Sequence, residues 1–380
     1  MVAIFAHEDR AAFKTCRRAW DLGARTRRNL EPSAVSPPFD TDRVVRDALA
    51  VYYFPGMWDW SPAVVVPLVF QALDQAVARE SARLGPDRMD NFSAVTEGAR
   101  RLLQAYIDWA PPVERVAPVL IEVDFQADVP DPDRPDLGLF TPDGTNVRYE
   151  GRIDLLGVDE FDAYWIVRHR LVREWTPTDL LLRDEESLAA CWAWEQFYIG
   201  MEIAGTVHNE LRLPSRDGLG APGPDPSGPP NTGRGWVAEH EASGGGRSVP
   251  QHRRLYARSK QPDALERVRH DTGPWFRRTW IRRTRDEVTA AGRQLASDSR
   301  QLFAPDGAVY PSPSPAACRR CPFESPCQAL YEGRAREAEA ILATSYQARP
   351  PAPLVEGRLG GVTWSTGRGA APPRFADPAS

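Results

Sequence analysis

The chain has 380 residues, is 42% hydrophobic and 26% charged, and carries a formal net charge of −5. This is the composition of a soluble globular protein, long enough for one large domain or two ordinary ones. There is no run of about 18 apolar residues that a membrane span requires, and acidic residues interrupt the opening MVAIFAHEDR where a secretion signal needs an apolar stretch, so the cytoplasm is the expected compartment.

In chain order, the first thirty residues read as a helix carrying Phe13, Cys16, Trp20 and Ala24 at spacings of three and four. A second helical pattern covers 41–54, with Val45, Leu49 and Tyr52 on one side, and a third runs from Pro62 to Trp109 with an interruption near Gly85-Pro86. The period then changes. VLIEVDFQADV (119–129) alternates, and after a Pro/Asp-rich loop VRYEGRIDLLGV and AYWIVRHRLV read as paired strands around a turn at Asp159–Asp162. EESLAACWAWEQFYIGMEIAG is apolar on nearly every face, which predicts a buried helix, and TVHNELRL (206–213) predicts a strand. The segment 214–250 is rich in Pro, Gly and Ser and reads as a flexible insertion. One or two helices follow over 263–302, including FRRTWIRRTRDEV, and after Gln347 the Pro, Gly and Arg-rich tail reads as disordered. This order gives an α/β or α+β core with a helical lobe made by both ends of the chain.

The basic residues are almost all arginine; the lysines are Lys14 and Lys260, so a mechanism that needs a lysine has two candidates. Five cysteines occur, and Cys318, Cys321 and Cys327 form a Cys-x2-Cys-x5-Cys cluster. In a cytosolic chain such a cluster reads as a metal site. Cys16 on the N-terminal helix is the best candidate for a fourth ligand, while Cys191 lies in the buried helix and reads as core. Four thiolates suit zinc or an iron–sulfur cluster, and ligand chemistry alone does not separate the two. In the basic stretch, Arg277, Arg278, Arg282 and Arg283 lie beside Trp280, a mixture that suits single-stranded nucleic acid or, equally, a solvated helix face.

VYPSPSPAACRRCPFESPC resembles the C-terminal cluster of the iron–sulfur nucleases of the PD-(D/E)XK superfamily, the RecB-like branch that includes CRISPR-adaptation exonucleases. FKTCRRAWDLG is similar to that family's first-cysteine helix, and IEVDF, GRIDLL and the buried helix follow in the family's order. The resemblance implies a restriction-endonuclease-like sheet flanked by helices, in one domain over 1–345 with 1–30 and 303–335 as the cluster lobe, and a four-iron, four-sulfur cluster on Cys16, Cys318, Cys321 and Cys327. It also implies a remnant catalytic site. Asp154 and Glu122 match the family's acids and would hold Mg or Mn. The family's acid and lysine in the next strand fall on Arg168 and Arg170, its helix histidine on Arg46, and its glutamine and tyrosine near Ser187 and Cys191.

Strand residues two apart share a face, so Arg168 and Arg170 should both point where Asp154 points. Guanidiniums there repel a divalent ion, stay protonated, and either pair with the acids or bind phosphate. His169 should face the other side. The sequence therefore predicts a nuclease-fold iron–sulfur protein with impaired catalysis that binds DNA, single-stranded or ended, or docks on a DNA-processing partner. The alternatives are an active divalent-metal nuclease using Asp154 and Glu122, and a scaffold without a nucleic-acid role.

Overall fold

The computed structural model describes residues 2–33, 39–82, 84, 92–213, 267–304, 307–349, 357–359 and 362–364. The insertion expected at 214–250, Lys260 and most of the tail beyond 349 lie outside the described residues.

In place of one N-terminal helix the chain opens with a strand, β1 (Val2–Phe5), and two short helices, α1 (His7–Thr15) and α2 (Arg17–Gly23). The break falls at Cys16, whose extended backbone (φ −160°, ψ 111°) ends one helix and starts the next. After a short strand, β2 (Leu30–Pro32), α3 (Thr41–Tyr52) starts where the Asp40 carboxylate accepts the Arg43 N–H at 2.9 Å. Two long helices follow on either side of the expected interruption, α4 (Pro62–Ser81) and α5 (Phe92–Val113).

Three strands come next: β3 (Val116–Asp128), β4 (Asn146–Asp159) and β5 (Tyr164–Val172). The β4–β5 turn is held by Asp159, which accepts the Phe161 and Ala163 N–H groups at 2.9 and 3.0 Å. A short helix α6 (Thr178–Leu182) leads to the buried helix α7 (Glu185–Phe197). This helix stops before the MEIAG stretch predicted to extend it, because Gly200 at φ +91° turns the chain into β6 (Ile203–Arg212).

The stretch FRRTWIR, read from sequence as helical, is a strand. β7 (Val268–Thr272) and β8 (Phe276–Arg282) form a hairpin, and only then does α8 (Arg285–Leu302) begin, at a capping box between Thr284 and Glu287. The period-two set Phe276, Arg278 and Trp280 explains it, since all three pack on one face of the sheet. The C-terminal part contains α9 (Pro315–Cys318), α10 (Glu324–Tyr331) and α11 (Ala335–Ser345). β9 (Tyr346–Ala348) pairs antiparallel with β2, and β10 (Gly357–Leu359) pairs with β11 (Val362–Trp364).

The result is a mixed α/β architecture. Seven strands form one sheet in the order β1-β4-β5-β6-β8-β7, with β3 on the other edge of β4. The β1·β4 and β5·β6 pairs are parallel and the rest antiparallel. Helices α3, α4 and α5 bury Leu49, Leu103 and Tyr106 against Leu155, Val167 and Val207 on one face. On the other face α7 and α8 bury Trp194 and Leu295 against Ile153, Leu156 and Ile166. A third, small cluster of Leu22, Phe323 and Leu342 joins the two ends of the chain, helped by the fork of Arg28 onto Glu339 at 3.0 and 2.9 Å.

Candidate functional site

The site begins where β4 and β5 part. β1 pairs with β4 at 146–149 and β5 pairs with the same edge at 155–158, which leaves 150–154 of that edge without a strand partner. Asp154, 4% exposed, stands at the fork, and its Oδ2 accepts the His169 backbone N–H at 2.8 Å. Glu122 lies opposite it in the β3–β4 register, between Ile121↔Leu155 and Val123↔Ile153. Its φ of +46° is a conformation that costs a non-glycine residue free energy and that clusters at functional sites. Burial first, and Asp154 second, push the Glu122 carboxyl up to about 7, while Arg152 and Arg46 pull against that.

Arginines fill the fork. Arg46 of α3 places Nη1 3.7 Å from Asp154 Oδ1 and Nε 2.9 Å from Asp42 Oδ2. Arg168 Nε lies 4.0 Å from Asp154 Oδ2, and its Nη2 donates to Glu186 at 2.5 Å. Arg170 Nη2 lies 3.1 Å from Glu186 and 3.2 Å from Asp184. As their two-residue spacing requires, Arg168 and Arg170 converge on one partner, Glu186 in the first turn of α7. Burial opposes the charge of Arg168, but Glu186 and Asp154 outweigh it and hold the guanidinium above its ordinary range. Arg46 is raised likewise, by Asp154 and Asp42 against burial. Ser187 Oγ donates to Asp184 at 2.6 Å, and Cys191 is fully buried with its thiol pushed up to about 12 by desolvation, so neither offers a reactive group.

His169 does face away. Its Nδ1 meets Asn209 Nδ2 at 2.8 Å and its ring stacks on Tyr53 at 5.4 Å. Burial pushes it down to about 4. Lys14 reaches the start of α7, but its ammonium is held by Glu185 at 2.7 Å and Asp298 at 3.0 Å. Sequence reasoning missed Glu186, Asp184 and Asp42. The acidic run DEE at the start of α7 was the available signal, since acids there also complement the helix dipole.

The basic stretch proposed for nucleic acid is mostly interior. Arg277 and Arg278 are 3% and 2% exposed and Trp280 is 7% exposed. Arg277 Nη2 lies 2.6 Å from Glu210. Arg278 sits 2.9 Å from Glu114 and donates to the Tyr53 and Tyr106 hydroxyls. Arg283, 5% exposed, donates to the carbonyls of Leu181 and Leu182. Arg282 is half-buried over Trp165. A strand buried on both faces, where a helix was expected, turns these side chains inward. They do not form a binding face.

The cysteines come together from both chain ends. Cys321 is close enough to Cys16, Cys318 and Cys327 for all three to raise its thiol further after burial has done so. The Ser312 N–H donates to Cys16 Sγ at 3.4 Å, and Arg18 Nη1 lies 3.6 Å from Cys327 Sγ. Donors aimed at sulfur suit thiolates in a metal or cluster site. Even so, among the described residues no group of three or more His, Cys, Asp or Glu is drawn into an arrangement that holds a metal ion. The N–H groups of Ser312 and Arg18 would stabilise thiolates at Cys16 and Cys327, but the cysteines as placed do not make a metal site. The fork at Asp154 does not fit a divalent ion, because two guanidiniums stand within 4.0 Å of its carboxylate.

No family model matches the sequence, and no curated protein matches it. Among solved structures, one described as "Crystal structure of SSO0001" matches with a TM-score of 0.28 at 13% identity, over 76% of this chain and 84% of that chain. A superposition this loose carries no argument about fold or function. Among the described residues no helix is long and apolar enough to cross a membrane.

Proposed function

We propose that the protein is a nuclease-like, cluster-bearing protein that acts by binding nucleic acid or a DNA-processing partner rather than by cutting, with its ancestral metal site filled by arginine. One observation carries this reading: Arg46 and Arg168 crowd Asp154 at 3.7 and 4.0 Å, while Arg168 and Arg170 share Glu186. Hard divalent ions need oxygen ligands free of competing cations, and the metal is what activates water and neutralises phosphate. Cys16, Cys318, Cys321 and Cys327 would hold a four-iron, four-sulfur cluster, whose contribution is to tie the chain ends together.

A second reading, an active divalent-metal nuclease on Asp154 and Glu122, draws on the Glu122 carboxyl, raised to about 7 by burial and the facing Asp154 charge, which a bound cation would relieve. Incubation with labelled single-stranded DNA and Mg2+ or Mn2+ separates the two. We expect no metal-dependent product. Cleavage that requires the metal and disappears in Asp154→Ala overturns the first reading. Protein purified without oxygen should be brown and contain iron and sulfide, and zinc in their place overturns the cluster assignment.

A further inference from the structure

Helix α7 ends in a turn that holds an apolar side chain out in solvent. Ile199 is 97% exposed, more than any other large apolar residue among those described. The turn has a defined geometry. The Met201 N–H donates to the Tyr198 carbonyl at 3.1 Å, and Gly200 at φ +91° supplies the left-handed third position that such a turn needs. The Tyr198 ring lies 4.5 Å from that of Trp194, and Phe197 meets Tyr198 edge-on at 5.0 Å. A fully buried tryptophan thus anchors a knob whose outer members, Phe197 and Ile199, are exposed.

Strand order sets this knob between two charged flanks. β5 and β6 run parallel from Tyr164↔Ile203, so the β4–β5 turn and the knob lie at the same end of the sheet. The Gly205↔Arg282 pair brings the end of β8 to that edge as well. Along the edge the order is therefore β4–β5 turn, knob, end of β8. The turn presents Glu160, Phe161 and Asp162, all exposed. At the other flank Arg285 lies 2.7 Å from Glu195 and Arg267 2.5 Å from Glu287, while Arg282 rests half-buried over the Trp165 ring.

We propose that this edge is a self-association surface, and that its occupant is a second copy of the chain. A two-fold axis through the knob lays Ile199 and Phe197 of the two copies against each other. It also brings the acidic turn of each copy to the Arg282 flank of the other. An isologous contact needs an apolar centre with opposite charges on its two sides, and the edge carries them in that order. A partner of uniform charge would match one flank and be repelled by the other. The pairing depends on neither the fork nor the cysteines.

The test is analytical ultracentrifugation of the full chain over a range of concentrations, at low and at high salt. A reversible dimer is expected, weaker at high salt because its rim is ionic. Ile199→Asp removes no buried contact within the chain and should weaken the dimer about tenfold or more. Glu160→Arg and Arg282→Glu should each weaken it, and the two together should recover most of that loss. Val64→Asp, at an exposed apolar residue of α4, is the control and should change nothing. Unaltered circular dichroism and melting temperature show that the variants are folded. A chain that stays monomeric up to about 100 μM overturns the proposal. So does a dimer that Ile199→Asp leaves intact, or that Val64→Asp breaks instead, since the interface then lies elsewhere. Charge reversals that add rather than compensate overturn the two-fold pairing.

Discussion

At the scale of single residues, the fork is governed by one carboxyl that the fold treats badly. Glu122 combines a left-handed backbone, burial, and a second acid directly across the strand pair. Its carboxyl is raised from about 4.5 to about 7. The folded chain thus binds more protons than the unfolded chain between those values, so stability falls as pH rises through this window. The ionised form costs roughly 3 kcal/mol above pH 7, and nothing below the unfolded value. Glu122→Gln should therefore raise the melting temperature at pH 8 by several degrees, with a gain that shrinks to nothing near pH 4. A gain independent of pH would show that backbone strain, and not charge, is what the substitution relieves. His169 works in the opposite sense. Held down to about 4 by burial, it favours folding above its unfolded value and withdraws that support as acid is added.

At the scale of elements, β8 decides how the interior is wired. The chain Asp154–His169–Asn209–Arg278–Glu114 runs from the fork through β5, β6 and β8 to the residue after α5, with the Tyr53 and Tyr106 hydroxyls joining it at Arg278. Replacing Arg278 by Leu leaves Glu114 buried without its cation, and should destabilise the fold by about 3–5 kcal/mol in denaturant unfolding. A loss below about 1 kcal/mol would mean that water replaces the guanidinium. On the other face, Gly292 of α8 lets Trp192 approach so closely that a Cβ would stand 2.3 Å from the indole nitrogen. Gly292→Val should cost about 1–3 kcal/mol by overpacking, and a neutral result would place the α7–α8 contact further apart than described. These elements were unequally legible in the sequence. The alternation of β3, β4 and β5 and the apolar α7 were plain, and so was the fork acid after GRIDLL. β8 was not, because Arg277, Arg278 and Arg283 are charged residues buried on pairing with Glu210, with Glu114 and with carbonyl groups. Those partners lie far off in sequence, so local pattern read the arginines as a solvated helix. Arg168 and Arg170 share a face as their spacing requires, but their common partner, Glu186, was hidden in what looked like an ordinary acidic helix start.

At the scale of the whole molecule, both ends of the chain meet. β2 pairs with β9, Phe323 stacks on Tyr346 at 5.4 Å, and Cys16 comes to the Cys318–Cys327 segment. The apolar cluster that joins them has three fully buried members, Leu22, Phe323 and Leu342. Burying a large apolar side chain contributes about 1.5–3 kcal/mol, against a closure entropy that rises with the roughly three hundred residues between the ends. So small a cluster is a weak clasp on its own, and the thiols are where a stronger one would act. Cys16→Ala and Cys318→Ala should each lower solubility and open the lobe to protease at α10 and α11, while the sheet between α3–α5 and α7–α8 stays protected. Cys191→Ala should do neither, since its thiol only fills space inside α7. Equal behaviour of all three variants would remove Cys16 from the clasp. Protease sensitivity confined to Cys318→Ala would make the lobe a property of the C-terminal segment, with α1 and α2 held by Arg10 and Lys14 on Asp298 instead.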